Sequence, residues 1–326
     1  MHIIKTMLSS PGILALCEVF FMGLFSKPEV IFLKESDAAQ QYLKQLEDLL
    51  PEANEDTAKK IEKEILITKA GITGEENIMF ELQHSGMDMV VLHDMYLETS
   101  SGTSAQIDFL VLTNKLNFVI ECKNLFGNIE INSKGDFIRT IQYGNKKYKE
   151  GIYSPITQNE RHLAVLKERK AENKSKFVKV ISDHYFYDLF KSLVVLANPK
   201  TVVNDRFAKK EVKNQVIRAD QLIATMKAMN KASKEEKYSL KEMRERGKDW
   251  LERCTVNPVD RISRFKEMIA LQDEEPVKKE SVEPVEKICP KCGKLLIIRQ
   301  ARRGEHAGER FWGCSGYPYC RYIEKI

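Results

Sequence analysis

Apolar and polar positions alternate with different periods along the 326-residue chain. Between residues 36 and 70, Leu43, Leu46, Leu49 and Leu50 recur at helical spacing, as do Ile61, Ile65 and Ile67. Ser36 or Asp37 can cap the first helix, and the second runs from Asp56 to about Lys69. The stretch GITGEENIMFELQHSG (71–86) reads as a further helix introduced by glycine. From residue 89 strands dominate: MVVLHDMYLE (89–98), IDFLVLT and NFVIECK within 107–123, GNIEIN and DFIRTIQY after Lys123, and KSLVVL at 191–196. A helix entered by Pro155 (154–173) and a strand then a helix in NQVIRADQLIATMKAMN (214–230) are interleaved with them. This mixture predicts an α/β core.

The remaining stretches set domain limits. Residues 232–272 are charged with a helical pattern, and their Lys/Glu runs at 232–248 read as a solvated helix face. Residues 273–286 hold prolines and charges without apolar periodicity, as a linker does. The expected organisation is an N-terminal segment (1–35), a helical segment (36–70), a mixed α/β domain (71–230), a second helical segment (231–272), the linker, and a module at 287–326. Within the first segment, GILALCEVFFMGLF (12–25) is apolar but interrupted by Glu18. It falls short of the ~20 residues that span a bilayer, and no small-residue cleavage site follows. The expectation is no stable membrane association, a translation start at Met22, and residues 1–21 disordered or absent from the mature chain. Oligomeric state is left open.

Charge and cysteine usage change the picture at the C-terminus. The net charge of +5 is mild, but nine Lys/Arg against three Asp/Glu lie in residues 287–326. Four of the seven cysteines are there too, in CPKC and, after 21 residues, CSGYPYC. An odd count with one tight cluster fits a reducing compartment, hence a cytoplasmic location, and a metal rather than a disulfide framework. Cys289, Cys292, Cys314 and Cys320 suit a closed tetrahedral Zn²⁺ site, which would staple a module too small to fold without it. Arg299, Arg302, Arg303 and Arg310 are interleaved with Phe311, Trp312 and Tyr317. Cations beside rings suit single-stranded nucleic acid, although some rings also serve a mini-core. The run CPKCGKLLIIRQ…FWGCSGYPYCRY resembles the C4 zinc finger repeated at the C-terminus of bacterial type IA topoisomerases. That resemblance implies a small zinc ribbon and DNA binding, with preference for single strands.

The second chemical signal lies in IDFLVLTNKLNFVIECK (107–123), where apolar strands carry Asp108, Glu121 and Lys123 at their ends. Buried charges are costly unless paired or bound to metal. A hairpin turning at Asn114-Lys115 pairs residues whose numbers add to 229, which sets Asp108 opposite Glu121. Lys123, two residues on, shares the face. Two facing carboxylates call for a cation, such as Mg²⁺ or Mn²⁺, with the Cys122 carbonyl as a further ligand and its thiol turned to the core. A structural ion-pair cluster is the plain alternative.

The pattern Asp108…Glu121-Cys122-Lys123 resembles that of the PD-(D/E)xK nuclease superfamily. Its context, GEENIMFEL…AQIDFLVLTNKLNFVIECKNLFGNI…SPITQNERHLAVL, is similar to the NERD (nuclease-related) domain over about 71–170. The resemblance implies a restriction-endonuclease-like mixed sheet flanked by helices, and hydrolysis of DNA phosphodiesters. It further implies that Glu75, in Gly74-Glu75, reaches the site, and that Gln158 contacts phosphate or the Lys123 end. Two positions depart from the family pattern: Ser154 before Pro155, where Asn is usual, and Phe137, where Trp is commoner. His162, a turn beyond Gln158, borders an apolar stripe and reads either as a site residue or as packing. A non-catalytic DNA-binding protein and a scaffolding protein in DNA processing remain the alternative readings.

Overall fold

The computed structural model describes residues 27–172, 175, 180, 184–273, 287–300 and 309–325. The apolar run 12–25, Met22, Arg302, Arg303 and nearly all of the expected linker lie outside them. The chain divides into one unit ending at Glu267 and another beginning at Met268. Among the described residues no helix is long and apolar enough to cross a membrane.

The first unit is built on a six-stranded mixed sheet. Its strands are β1 (Val30–Lys34), β2 (Met89–Glu98), β3 (Ser104–Thr113), β4 (Asn117–Lys123), β8 (Phe190–Leu196) and β10 (Val216–Arg218), in spatial order β1-β2-β3-β4-β8-β10. The pairs β2–β3 and β3–β4 are antiparallel, whereas β1–β2, β4–β8 and β8–β10 are parallel. The expected mixed α/β architecture is therefore present. A second sheet holds β5 (Asn128–Ile131), β6 (Phe137–Tyr143), β7 (Lys146–Ile152) and the two-residue β9 (Val203–Asn204), in order β7-β6-β5-β9.

The helices are α1 (Ala38–Leu49), α2 (Glu55–Gln83), α3 (Pro155–Ala171), α4 (Leu222–Ala232), α5 (Leu240–Arg253) and α6 (Ser263–Asp273), besides shorter turns. One face of the large sheet packs Val90, Leu92, Leu110 and Val119 against Leu163 and Leu166 of α3 and Met243 and Trp250 of α5. The other packs Val91, Phe109, Phe118 and Ile120 against Ile78 and Leu82 of α2 and Met226 of α4.

Several elements differ from the expectation. The helix read as ending near Lys69 and the one read at 71–86 are one 29-residue helix, α2, capped by Asn54, which accepts from the Thr57 N–H at 3.0 Å. Gly74 does not break it; a Cβ there would stand 2.7 Å from Asn124 Cβ and 3.0 Å from Cys122 Sγ, so the glycine seats the helix on the end of β4. Residues 30–34, placed by the sequence in an unstructured N-terminal segment, form an edge strand paired with β2. The Lys/Glu-rich stretch read as a solvated face has a buried stripe as well: Met243, Gly247 and Trp250. Its start carries the capping box of Ser239 and Glu242. The exposed strand β7 had no apolar alternation to announce it. At the two departures from the family pattern, Ser154 caps α3 by accepting from Thr157 N–H, and Phe137 is fully buried.

Replacing Gly74 with Ala is expected to lower stability by roughly 1–3 kcal/mol, because Asn124 and Cys122 leave no room for a methyl group. A thermal melt of the variant within experimental error of the parent would show that α2 moves freely on β4.

Candidate functional site

The site starts from the hairpin. The ladder between β3 and β4 runs from Leu112↔Asn117 to Phe109↔Ile120, the register whose numbers add to 229. Asn114-Lys115 is its turn, closed by the Thr113 N–H donating to Leu116 O at 2.9 Å. One residue beyond Phe109 the ladder opens. Asp108 enters the gap and accepts the Cys122 N–H through Oδ2 at 2.7 Å.

A kink in both β2 and β3 accompanies this opening. Leu110 and Ile107 lie in the same face of the core, as do Leu92 and Met95. Residues three apart belong to opposite faces of a regular strand, so the alternation slips at the same level in both strands. Asp94 marks the slip, with φ +54, a left-handed conformation that Asp tolerates better than most residues. Its carboxylate accepts from Ser36 Oγ at 2.5 Å and Gln106 Nε2 at 2.6 Å. Against burial, which pushes it up, these bonds hold the Asp94 carboxyl below the usual range. Lys34, at the end of β1, donates to the carbonyls of His93, at 3.0 Å, and of Asp94.

Glu121 is 1% exposed. Its Oε1 accepts from Lys123 Nζ at 2.5 Å, and its Oε2 has no hydrogen-bond partner. Lys123 also donates to Gln158 Oε1 at 3.1 Å, so Gln158 sits at the lysine end of the site. His162 Nδ1 lies 3.4 Å from Glu121 Oε2 without a hydrogen bond. Burial, then Lys123, pushes the imidazole down to about 4, so it is neutral at neutral pH. Burial and then Glu121 push the Asp108 carboxyl well up. Burial also raises Glu121, against the pull of Lys123. Burial, then the Asp108 carboxylate, raises the Cys122 thiol, whose sulfur packs toward α2; the side chain belongs to the core face, as expected.

Glu75 stands near enough to raise both carboxyls, yet no group of three Asp, Glu, His or Cys ligand atoms forms at this site among the described residues. Glu75 is instead engaged by His93, whose Nε2 lies 3.0 Å from Oε2. The Ser36 N–H donates to His93 Nδ1 at 3.4 Å, which leaves the ring proton on Nε2 to donate to Glu75. The His93 ring stacks on Phe109 at 4.8 Å.

A divalent cation suits these residues: two carboxyls crowded by burial and mutual repulsion, one with a buried, unpartnered oxygen. The N–H and C=O of one strand residue point to the same side. The Cys122 carbonyl therefore faces the opened gap beside Asp108.

In the second unit, β11 (Leu296–Gln300), β12 (Arg310–Cys314) and β13 (Ile323–Lys325) form a three-stranded antiparallel ribbon. The ligand atoms of Cys289, Cys292, Cys314 and Cys320 all lie within 4.8 Å of one another. Cys289 and Cys320 sulfurs are 3.8 Å apart, and Cys292 and Cys314 3.3 Å. Four thiolates bound to zinc at ~2.3 Å stand roughly 3.8 Å apart, so the cluster fits the ion. The Lys294 N–H, then Cys314, brings the Cys292 thiol down to about 7. The Gly316 N–H donates to Cys314 Sγ at 3.3 Å.

Trp312 and Tyr322 pack on Cys289, Leu296 and Cys314 as a mini-core. Arg299, Phe311, Tyr317 and Arg321 border a cavity of about 400 Å³ whose wall is completed by Cys314, Cys320 and Tyr322 of that mini-core. Arg299 lies over the Tyr317 ring at 5.7 Å, and Arg310 is exposed.

The nuclease-related domain (NERD) family model matches residues 70–197, and that of the topoisomerase DNA binding C4 zinc finger matches residues 286–326. The chain carries both components. Over 58 residues it is 41% identical to DNA topoisomerase 1 of Methanocaldococcus jannaschii, covering 18% of this chain and 7% of that one. Over 48 residues it is 50% identical to DNA topoisomerase 1 of Mycoplasma genitalium, covering 15% of this chain and 6% of that one. The likeness thus spans less than a tenth of these curated relatives. No solved structure matches.

The nuclease-related domain contains site residues that the sequence did not announce. Asn159, fully buried, donates from Nδ2 to Val119 O and Ser192 Oγ, each at 2.9 Å, and so pins α3 and Gln158 over β4. His93 and Arg321 were missed as well. The spacing Gln158-Asn159 beside a resembling motif was the only available signal for Asn159, and His93 had none.

For the C4 finger, freshly purified protein is expected to hold one zinc per chain, and Cys292→Ser to lose it. Elemental analysis finding no zinc in the parent protein would refute the assignment.

Proposed function

We propose that this protein is a metal-dependent nuclease that hydrolyses phosphodiester bonds in DNA, held on single-stranded regions by its C4 finger and working in the cytoplasm. The observation that carries the reading is the pairing of half-buried Asp108 with buried Glu121, and Lys123 bonded to Glu121. A cluster kept for stability would be better paired; here a buried carboxylate oxygen has no partner and Asp108 is half-buried, open to a ligand. Supporting it are the nuclease-related and DNA-binding finger matches.

Asp108, Glu121 and the Cys122 carbonyl would hold Mg²⁺ or Mn²⁺. Such an ion supplies Lewis-acid stabilisation of charge on the phosphate. Lys123 presents an ammonium, 26% exposed, beside the carboxylates, where it offsets the developing charge and orients the attacking water. Gln158 holds the lysine from α3 and offers its amide N–H to phosphate. His162, neutral and buried, packs beside Glu121 with its Nδ1 3.4 Å from Oε2. Glu75, held by His93, adds negative potential beside the pair, which makes loss of the carboxyl protons harder and attracts a cation. In the finger, Arg299, Arg310, Phe311 and Tyr317 meet the strand, with Arg302 and Arg303 assigned there from the sequence. Trp312 serves mainly the ribbon core.

Lys123→Ala and Glu121→Gln are each expected to lower cleavage of labelled DNA at least ~100-fold in Mg²⁺, while DNA binding persists. Undiminished cleavage by the lysine variant would overturn the scheme.

The raised carboxyls give a second test, independent of cleavage. A carboxyl raised in the folded state favours the fold below the ordinary carboxylate range, near 4, and that contribution is lost as pH rises through the raised values. The pair's own contribution to metal-free stability should therefore fall from about pH 4 upward, read as the difference between parent and Asp108→Asn, and Mn²⁺ should stabilise the parent more at pH 8 than at pH 6. Asp108→Asn should flatten the pH dependence, raise the metal-free Tm by roughly 2–4 °C and abolish the Mn²⁺ effect. Equal Mn²⁺ stabilisation of parent and variant in thermal melts would exclude these ligands.

A further inference from the structure

The small sheet β7-β6-β5 begins five residues after Lys123 and is rooted on the core through Ile129, Ile131 and Phe137, which pack with Ile156 in the first turn of α3. Ile156 is two residues before Gln158. Alternation carries the face of Phe137 outward to Ile141 and Tyr143. Across the hairpin, Tyr143 pairs with Lys146 and Ile141 with Tyr148, so these side chains share that face. Beyond the root nothing among the described residues covers it: Phe126, Tyr143 and Tyr148 are 56%, 63% and 52% exposed.

The three rings are grouped rather than scattered. Phe126 and Tyr143 centroids lie 6.4 Å apart, and Tyr143 and Tyr148 6.2 Å. Gly127 makes the first pairing possible. It has φ +99, and a Cβ there would stand 2.5 Å from Thr140 O, so only glycine lets the chain press Phe126 against β6. The charges are asymmetric. Arg139 is bonded to Glu150, and Lys149 lies 3.7 Å from Glu130. Lys146 and Lys147, at the tip, have no ion pair among the described residues.

Lysines on an edge strand such as β7 discourage pairing with other sheets, which accounts for the lysines but not for the rings. A protein-binding patch would be depleted of lysine at its centre. Exposed rings with unpaired cations match a flexible polyanion that carries flat bases. We propose that this wing is a second nucleic-acid surface, on which single-stranded DNA stacks as it enters the carboxylate site. The proposal rests on the nuclease reading for its direction of entry, and on its own geometry for the contact.

The test is photo-crosslinking of the full chain, carrying Lys123→Ala to prevent cleavage, to a single-stranded oligonucleotide containing 5-iododeoxyuridine, with peptides mapped by mass spectrometry. Crosslinks are expected in the peptides bearing Phe126, Tyr143 and Tyr148 as well as in the finger. Adding Tyr143→Ala with Tyr148→Ala should reduce wing crosslinks about tenfold, whereas Tyr143→Phe with Tyr148→Phe should keep them. Lys146→Glu with Lys147→Glu, which spares the rings, should also reduce them several-fold at low salt. Crosslinks confined to residues 287–326 would overturn the proposal, as would equal loss in the Phe and Ala variants. If the parent chain fails to cleave DNA while wing crosslinks form, hydrolysis falls and the wing stands. If it cleaves while the wing stays unlinked, only the wing falls.

Discussion

Two carboxyl groups share the end of one apolar hairpin, and one lysine cannot neutralise both. Burial raises Asp108 and Glu121 together, and each makes ionisation of the other harder. The structure around them answers that conflict. Lys123 takes one oxygen of Glu121, and the Cys122 N–H takes one of Asp108. The second oxygen of Glu121 is left over, buried and without a hydrogen-bond partner.

The opening of the hairpin at Asp108 has its counterpart on β2. Asp94 turns left-handed and the alternation of both strands slips at that level, so the kink is a property of the ribbon and not of one residue. Lys34 and Ser36 hold it from the N-terminal side, and Ser36 also sets the tautomer of His93, which fixes Glu75. Four carboxylates and a lysine are thus disposed by backbone conformation as much as by their own contacts.

Much of this was legible in the chain, for reasons of local chemistry. The turn at Asn114-Lys115 lies midway between two apolar runs, so the register of β3 on β4 followed from the midpoint alone. The cysteines declared themselves through spacing that only a metal explains. What escaped was decided by partners far away in sequence. β7, which has no apolar pattern of its own, is a strand because β6 offers an edge, whereas the run Val30-Ile31-Phe32-Leu33 of β1 is short and was passed over beside the apolar N-terminal stretch. Gly71 looked like the start of a new helix, whereas α2 runs through it, and the packing of Gly74 on Cys122 and Asn124 that seats α2 is tertiary. His93 and Asn159 are polar residues buried by the fold, and burial is what gives them work. The simple hairpin also hid the kink, since alternation assumes a regular strand.

The extent of the large sheet bears on how this domain is handled. The nuclease-related match covers 70–197, but the sheet it contains is finished by β1 at one edge and β10 at the other. Over one face lies α5, whose Gly247 sits where a Cβ would meet Leu33 at 2.6 Å and Val90 at 2.7 Å. A polypeptide trimmed to the matched limits would present two bare hydrogen-bonding rims and an uncovered apolar face, the combination that drives sheets to stack on each other. The folded unit of this chain is therefore larger than its recognisable core: the edge strands, the covering helix and the matched region complete one sheet and must be kept together in any fragment meant to fold.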